Sequence, residues 1–246
     1  MKQKIALQLY SLRNSVKGDF KAQLQTVAAI GYQGVEFAGM HGISAEEMKP
    51  FLEKLKLHPV GAHTPFNELE NNLDEVIAYH RTIGTQYLVI PYAEFRTKAD
   101  AEKVVSLSKK ISPQIRAAGM RLLYHNHSQE FTVRFDGKTV LELLRDQTSP
   151  EELGFELDVF WAIHAGFDPV EVMEKFGHRC MLVHAKDMNN IQDKKMTEVG
   201  TGIVDFRKII AQCNTMEHAW IIVEQDEIDM DEYKSVEISL KKLQKM

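Results

Sequence analysis

Apolar residues in this 246-residue chain fall into two kinds of block, and the two kinds alternate from one end to the other. Short apolar runs rich in β-formers read as strands: Ile5–Tyr10, Gly34–Phe37, His58–His63, Tyr87–Tyr92, Arg121–His127, Gly154–Val159, Met181–Lys186 and Trp220–Gln225. Between them, apolar positions recur at helical spacing over Phe20–Ile30, Ala45–Leu57, Asn67–Ile83, Thr97–Ala118, Thr139–Arg145, Asp168–Phe176, Asp205–Asn214 and Asp231–Leu243. Gly31, Gly84 and Gly119 stand where helix C-caps belong, and Ser44 and Thr97 where N-caps do. Pro113 inside the fourth helical block predicts a kink or break.

Eight strand–helix pairs in strict alternation imply parallel strands joined by right-handed crossovers. At this length the pattern predicts a closed barrel, a single (β/α)8 TIM-barrel domain spanning residues 1–246. The competing open, doubly wound sheet usually carries a glycine-rich phosphate loop after its first strand. Here that turn is Ser11-Leu12-Arg13-Asn14, which has no such motif. The long polar stretch Asp187–Val204, with Gly200 and Gly202, is expected to form a mobile lid over the barrel mouth.

With 44% hydrophobic residues the chain can fill one large core. A net charge of −5 lacks the broad basic field that nucleic-acid binding needs, so no nucleic-acid partner is expected. Cys180 and Cys213 make no disulfide framework and are expected as reduced thiols in a cytoplasmic setting. No apolar run approaches the ~20 residues of a membrane span. Ile5–Leu9 is too short for a signal-peptide core, and Gln8 interrupts it. No membrane association is expected, and homo-oligomerisation is left open.

Several strands end on polar groups, which strand interiors do not need but barrel mouths do. Strand five closes as Tyr124-His125-Asn126-His127, strand six on Asp158, strand seven on His184 and Lys186, strand eight on Glu224 and Gln225. Side chains alternate along a strand. His125 therefore shares a face with His127, Glu156 with Asp158, and His184 with Lys186. Asp158, His184 and Glu224, one per successive strand, make a mixed oxygen and nitrogen set suited to one divalent ion: Mn, Mg, Co or Zn. Carboxylates clustered without a cation would repel one another. Other inward strand ends are candidates to bind substrate: Gln8, Tyr10, Glu36, His63, Trp161 and, at the end of strand eight, Gln225. Each alone also reads as an ordinary cap, core histidine or packing residue. Recurrence at equivalent strand ends favours a site.

These stretches carry a resemblance. Tyr124-His125-Asn126-His127-Ser128-Gln129-Glu130-Phe131, Leu157-Asp158-Val159-Phe160-Trp161-Ala162, Val183-His184-Ala185-Lys186-Asp187-Met188, Val199-Gly200-Thr201-Gly202-Ile203-Val204-Asp205-Phe206 and Val223-Glu224-Gln225-Asp226 resemble the sugar phosphate isomerase/epimerase family. These are the xylose isomerase-like barrels that also include endonuclease IV. Leu7-Gln8-Leu9-Tyr10-Ser11-Leu12-Arg13 fits the same resemblance. It implies a metal held by an acidic group from strand five together with Asp158, His184 and Glu224. Many relatives have a Glu where this chain has His125. Glu130, just beyond, is then the expected fourth ligand, with His125 the alternative. Glu36 and His63 fall where endonuclease IV has further metal ligands, but the acidic net charge speaks against a nuclease.

The resemblance implies a metal-dependent isomerase or epimerase acting on a small carbohydrate by removing a proton next to a carbonyl. His125, His127, Glu224 and Lys186 are the candidate catalytic groups. A dehydratase or 3-keto-glycoside-cleaving lyase on the same scaffold is the alternative. A non-catalytic sugar-binding barrel is a third reading.

Overall fold

Each of the eight apolar runs forms a strand in the computed structural model, which describes residues 4–15, 18–216 and 220–246. The strands are β1 (Lys4–Gln8), β2 (Gly34–Phe37), β3 (His58–His63), β4 (Tyr87–Ile90), β5 (Arg121–His125), β6 (Gly154–Asp158), β7 (Cys180–Ala185) and β8 (Trp220–Val223). All pair in parallel with their sequence neighbours, and β1 pairs with β8 from Lys4↔Trp220 to Leu7↔Val223, which closes the barrel. The principal helices are α1 (Phe20–Ile30), α2 (Ala45–Leu55), α3 (Leu73–Ile83), α4 (Lys98–Ala117), α5 (Val140–Gln147), α6 (Pro169–Phe176), α7 (Phe206–Cys213) and α8 (Glu232–Leu243). The single (β/α)8 barrel read from the alternation is the observed fold.

Local chemistry explains the helix ends. Asp19 accepts from the Ala22 N–H to start α1, and Gly31 ends it at φ 110°. Thr139 and Glu142 form a reciprocal capping box on α5. Asp168 caps α6 with Pro169 in its first turn. Three details depart from the sequence pattern. The block Asn67–Ile83 divides at Asn72 into a short helix, Phe66–Asn71, and α3. Pro113 does not break α4; it and Lys109 lie on the exposed face, where water can satisfy the freed Lys109 carbonyl. A short helix, Val159–His164, follows β6 directly.

Apolar side chains pack in two places. The larger core lies between strands and helices, and Phe37, Leu88, Tyr124 and Val183 belong to it. The smaller plugs the barrel interior with Ala6, Val60, Tyr87, Val89, Leu123, Leu182, Trp220 and Ile222. Full burial of each large side chain contributes about 1.5–3 kcal/mol. The plug matters for function because it supports a polar layer at the strand C-terminal ends. Among the described residues no helix is long and apolar enough to cross a membrane. Cys180 and Cys213 are buried free thiols.

Asp187–Val204 is not a loose cover over the mouth. It contains a small hairpin, Asp187–Met188 against Met196–Thr197. The buried Asp187 carboxylate accepts from the backbone N–H groups of Met188, Gly200, Gly202 and Val204 at 2.8–3.1 Å. A Cβ at Gly202 would stand 2.1 Å from the Met188 carbonyl oxygen, so this close approach requires glycine. The expected lid is instead a segment pinned at both ends.

Candidate metal centre

Strand alternation carries His125, Glu156, Asp158 and His184 inward, and the register sets His125 opposite Glu156 and Asp158 opposite His184. Glu224 and Lys186 follow immediately after β8 and β7. Asn126 points the other way, as parity requires. Its Oδ1 accepts from the Asp158 N–H at 3.1 Å and its Nδ2 donates to the Asp158 carbonyl at 3.3 Å. That two-point contact fixes the end of β6 against β5, and so fixes where the Asp158 carboxylate starts.

The inward groups form two layers. In the outer one, His125, Asp158, His184 and Glu224 each offer a ligand atom, all within 4.8 Å of one another. In the inner one His63, His125, Glu156 and His184 meet the same criterion, with Glu36 alongside. His63 and His184 stack with ring centroids 5.4 Å apart. Glu36 reaches the layer because β3 carries Gly61 beside it: a Cβ there would lie 2.5 Å from Glu36 Oε1.

Burial and the neighbouring charges set the protonation states. Burial opposes charge on His184, but Glu156, Glu224 and Glu36 outweigh it and hold the imidazole well above its ordinary value. Burial likewise disfavours the Lys186 ammonium, yet Asp158, Glu224 and Asp226 hold it firmly charged. Its Nζ lies 3.1 Å from Asp158 Oδ2 and 2.8 Å from both Glu224 Oε2 and Asp226 Oδ2. Burial pushes the Asp158 carboxyl up to about 6 against the pull of Lys186 and His184. Burial drives His125 well below its ordinary value and brings His127 down to about 4, so both are neutral imidazoles at pH 7.

The donor set fits a divalent cation. Two imidazoles and two carboxylates converge in a fully buried spot. Asp158 Oδ2 is buried there with no properly angled hydrogen bond, although Lys186 Nζ is near. A mixed nitrogen and oxygen set of this size suits a zinc- or manganese-like ion.

Above the centre opens a cavity of about 660 Å³, bordered by Tyr10, Arg13, His63, Tyr92, His125, His127, Lys186, Glu224 and Asp226 among others. Of the residues singled out in the sequence, Tyr10, His63, His125, His127, Lys186 and Glu224 line it; Asp158, His184 and Glu36 lie buried beneath. Gln8 is also beneath, donating to Glu36 Oε2 at 2.8 Å. Trp161 is set to one side, its ring 5.5 Å from that of His127. Gln225 turns away: its Nε2 donates to the Glu227 carbonyl and its Oε1 accepts from Ser235.

Glu130, expected as the fourth ligand, belongs to neither layer. It accepts from Tyr124 Oη and from the His127 N–H, both at 2.8 Å, and His125 occupies the strand-five place. Arg13, Glu156, Asp226 and Tyr92 are at the site without having been candidates in the sequence. Glu156 is central to the inner layer, and its parity with Asp158 was the available signal. Asp226 and Tyr92 sit just past strand ends, where alternation gives no signal.

An eight-stranded parallel barrel with buried imidazoles and carboxylates at its C-terminal mouth is the class of protein these features define. Within that class, residues 24–246 match the family described as xylose isomerase-like TIM barrel, and the chain belongs to it. It is 25% identical over 148 residues to an inosose dehydratase of Geobacillus kaustophilus, a match spanning 53% of this chain and 47% of that protein, about half of its length. With an inosose dehydratase of Clostridium botulinum it shares 21% identity over 253 residues, covering 85% of this chain and 82% of the relative. A sugar phosphate isomerase/epimerase from Parabacteroides distasonis superposes with TM-score 0.81 at 26% identity, covering 99% of this chain and 94% of that one. The IOLI protein, crystallised with a zinc atom, superposes with TM-score 0.78 at 13% identity over 98% of this chain and 96% of its own, a likeness of fold.

Proposed function

We propose that this chain is a divalent-metal-dependent enzyme that removes a proton next to the carbonyl of a small sugar- or cyclitol-like ketone and expels the oxygen on the following carbon. The observation that carries the reading is the outer layer: His125, Asp158, His184 and Glu224 converge directly beneath a mouth cavity that also holds the neutral His127. His125 Nε2, Asp158, His184 Nδ1 and Glu224 would hold the ion. When bound, the cation would polarise the carbonyl and stabilise negative charge on its oxygen.

The chain's own groups do the rest. His127, neutral and at the cavity edge, accepts the proton from carbon. The electron pair of that C–H bond forms a C=C bond, and the C–O bond at the next carbon breaks. The His127 imidazolium returns its proton to the departing oxygen, so water or an alcohol leaves. Lys186 donates to Asp226 Oδ2, lies 2.8–3.1 Å from the Glu224 and Asp158 carboxylates, and acts as a fixed positive charge beside this path. Tyr10 and Tyr92, large and exposed, offer flat faces at the entrance for a sugar ring.

Two features support elimination. The strand-five position carries an imidazole where a second carboxylate would serve as the opposing base of an epimerase, and the two relatives aligned above are described as dehydratases. A second reading, isomerisation or epimerisation, is favoured by the description of the P. distasonis protein. It needs the same proton removal followed by return to carbon. One experiment separates them: Mn²⁺-loaded protein incubated in D₂O with inososes and 3-keto-sugars. Loss of water or alcohol with appearance of an enone chromophore supports elimination. Deuterium beside the carbonyl with no oxygen lost supports isomerisation or epimerisation. Binding without exchange or loss across the panel would leave a sugar-binding barrel and end both readings.

A further inference from the structure

The carboxylates of the inner layer, Glu36 and Glu156, neither line the cavity nor take part in the proposed chemistry, and their hydrogen bonds carry directional information. Glu156 Oε2 lies 2.9 Å from His63 Nε2, 3.0 Å from His125 Nδ1 and 3.1 Å from His184 Nε2. One carboxyl oxygen can carry at most one proton. The contacts of His63 and His125 are hydrogen bonds, so at least one of those two nitrogens brings its own hydrogen, while His184 Nε2 faces Glu156 as a close charge contact. The Glu36 side supplies a second constraint. Gln8 Oε1 accepts from the Tyr10 N–H at 3.1 Å, which fixes the orientation of the Gln8 amide, so Gln8 Nε2 donates to Glu36 Oε2. The same oxygen lies 2.7 Å from His184 Nε2. Both carboxylates are fully buried, and each has one oxygen, Glu36 Oε1 and Glu156 Oε1, with no hydrogen-bond partner among the described residues.

A ring that donates downward from one nitrogen turns its other nitrogen upward; in His184 that nitrogen donates to Glu224, and a cation would take the place of the proton. For His125 the upward atom is Nε2, 3.7 Å from Asp158 Oδ2. For His184 it is Nδ1, 2.7 Å from Glu224 Oε2. These are the nitrogens that face the outer carboxylates. Both rings thus span the two layers in the same sense.

We infer that Glu156 and Glu36 are positioning residues for the outer centre: they hold His125 by Nδ1 and His184 by Nε2, which orients both rings and reserves His125 Nε2 and His184 Nδ1 for a metal ion. This rests on the metal reading given above. Carboxylates behind metal-bound imidazoles fix ring and tautomer and raise ligand basicity. The alternative, an ion within the inner layer, would have to displace the contacts that three imidazoles make with Glu156.

The test uses the whole chain with Zn²⁺ alone. In the zinc-loaded unaltered protein, long-range ¹⁵N–¹H correlation of the imidazoles should show His125 Nδ1 and His184 Nε2 protonated and the opposite nitrogens metal-bound. Chelator competition should show one ion per chain, with affinity lowered about 10–100-fold by Glu156→Gln and by Glu36→Gln while one ion is still bound at saturation. Metal on the inner nitrogens would overturn the inference. So would two ions per chain with one lost in Glu156→Gln, or unchanged affinity in both variants. Should the variants misfold, the spectrum of the unaltered protein decides alone. No zinc bound by the unaltered protein would sink the metal reading together with this one. Zinc bound tightly and lost in Asp158→Asn, but indifferent to both glutamine variants, would sink only this one.

Discussion

Tyr124 Oη donates a 2.8 Å hydrogen bond to Glu130 Oε1 on the outward side of β5, while the next residue, His125, faces the barrel interior. The other Glu130 oxygen accepts from the His127 N–H at 2.8 Å. Burial pushes this carboxyl up to about 7, which those hydrogen bonds oppose. Moving Glu130 to the metal layer would break both bonds and leave the buried Tyr124 O–H without this acceptor.

His125→Asn is therefore expected to weaken divalent-ion binding by at least the about 10–100-fold typical of losing a ligand's support. Glu130→Gln should leave ion content unchanged and lower thermal stability instead. Plasma emission spectroscopy on dialysed protein reads the first, and a melting curve the second. Loss of metal in Glu130→Gln with full loading in His125→Asn would reverse the assignment.

His127→Asn should leave metal content intact and cut kcat by about 100-fold or more, the usual contribution of a positioned acid or base. Burial, helped by Lys186, lowers this imidazole to about 4. A base must be unprotonated to work. Turnover by the unaltered protein should thus hold at neutral pH and fall away as the pH approaches about 4. A variant retaining full kcat would remove His127 from the chemistry.

The barrel was legible because strand–helix alternation is a local property repeated eight times, and each repeat constrains the same global solution. The metal layer was partly legible for the same reason: strand parity alone puts His125, Asp158 and His184 inside. Glu156 shares that parity, but its role depends on register with β5 and β7, which no single strand encodes. His127 was assigned inward by parity, yet β5 ends at His125. It reaches the mouth from beyond the strand end, where the Asn126 side chain grips the Asp158 backbone. Glu130 misled because sequence proximity suggests reach without showing that Tyr124 already holds it. The lid expectation failed on a contact between Asp187 and glycines 13 and 15 residues away.

That contact is testable by itself. Asp187→Ala would leave four backbone N–H groups without their acceptor, and a buried unsatisfied donor costs about 1–3 kcal/mol. With partial relief from water, a loss of about 3 kcal/mol or more is expected, seen as a lower urea midpoint at unchanged slope. Gly202→Ala should also destabilise, because its Cβ meets the Met188 carbonyl. Two stable variants with a wild-type midpoint would show the segment to be independent of its anchor.

A final prediction concerns acid stability and lies away from the site. His80, in the last turn of α3, is buried, with Nδ1 3.0 Å from Thr85 Oγ1, and burial lowers it to about 4. In the unfolded chain it titrates near 6.5. The unfolded state thus binds this proton at higher pH than the folded state does, so stability rises with pH across the interval. The contribution is complete above about pH 6.5, declines on acidification, and is gone below about pH 4, a total of about 3 kcal/mol. Between pH 7 and pH 5 the unaltered protein should lose about 2 kcal/mol from this group. His80→Gln, which keeps a hydrogen-bonding partner for Thr85 but cannot titrate, should show a correspondingly shallower decline in urea-unfolding free energy. Equal slopes in the two proteins would mean that His80 takes its proton within the fold at no cost.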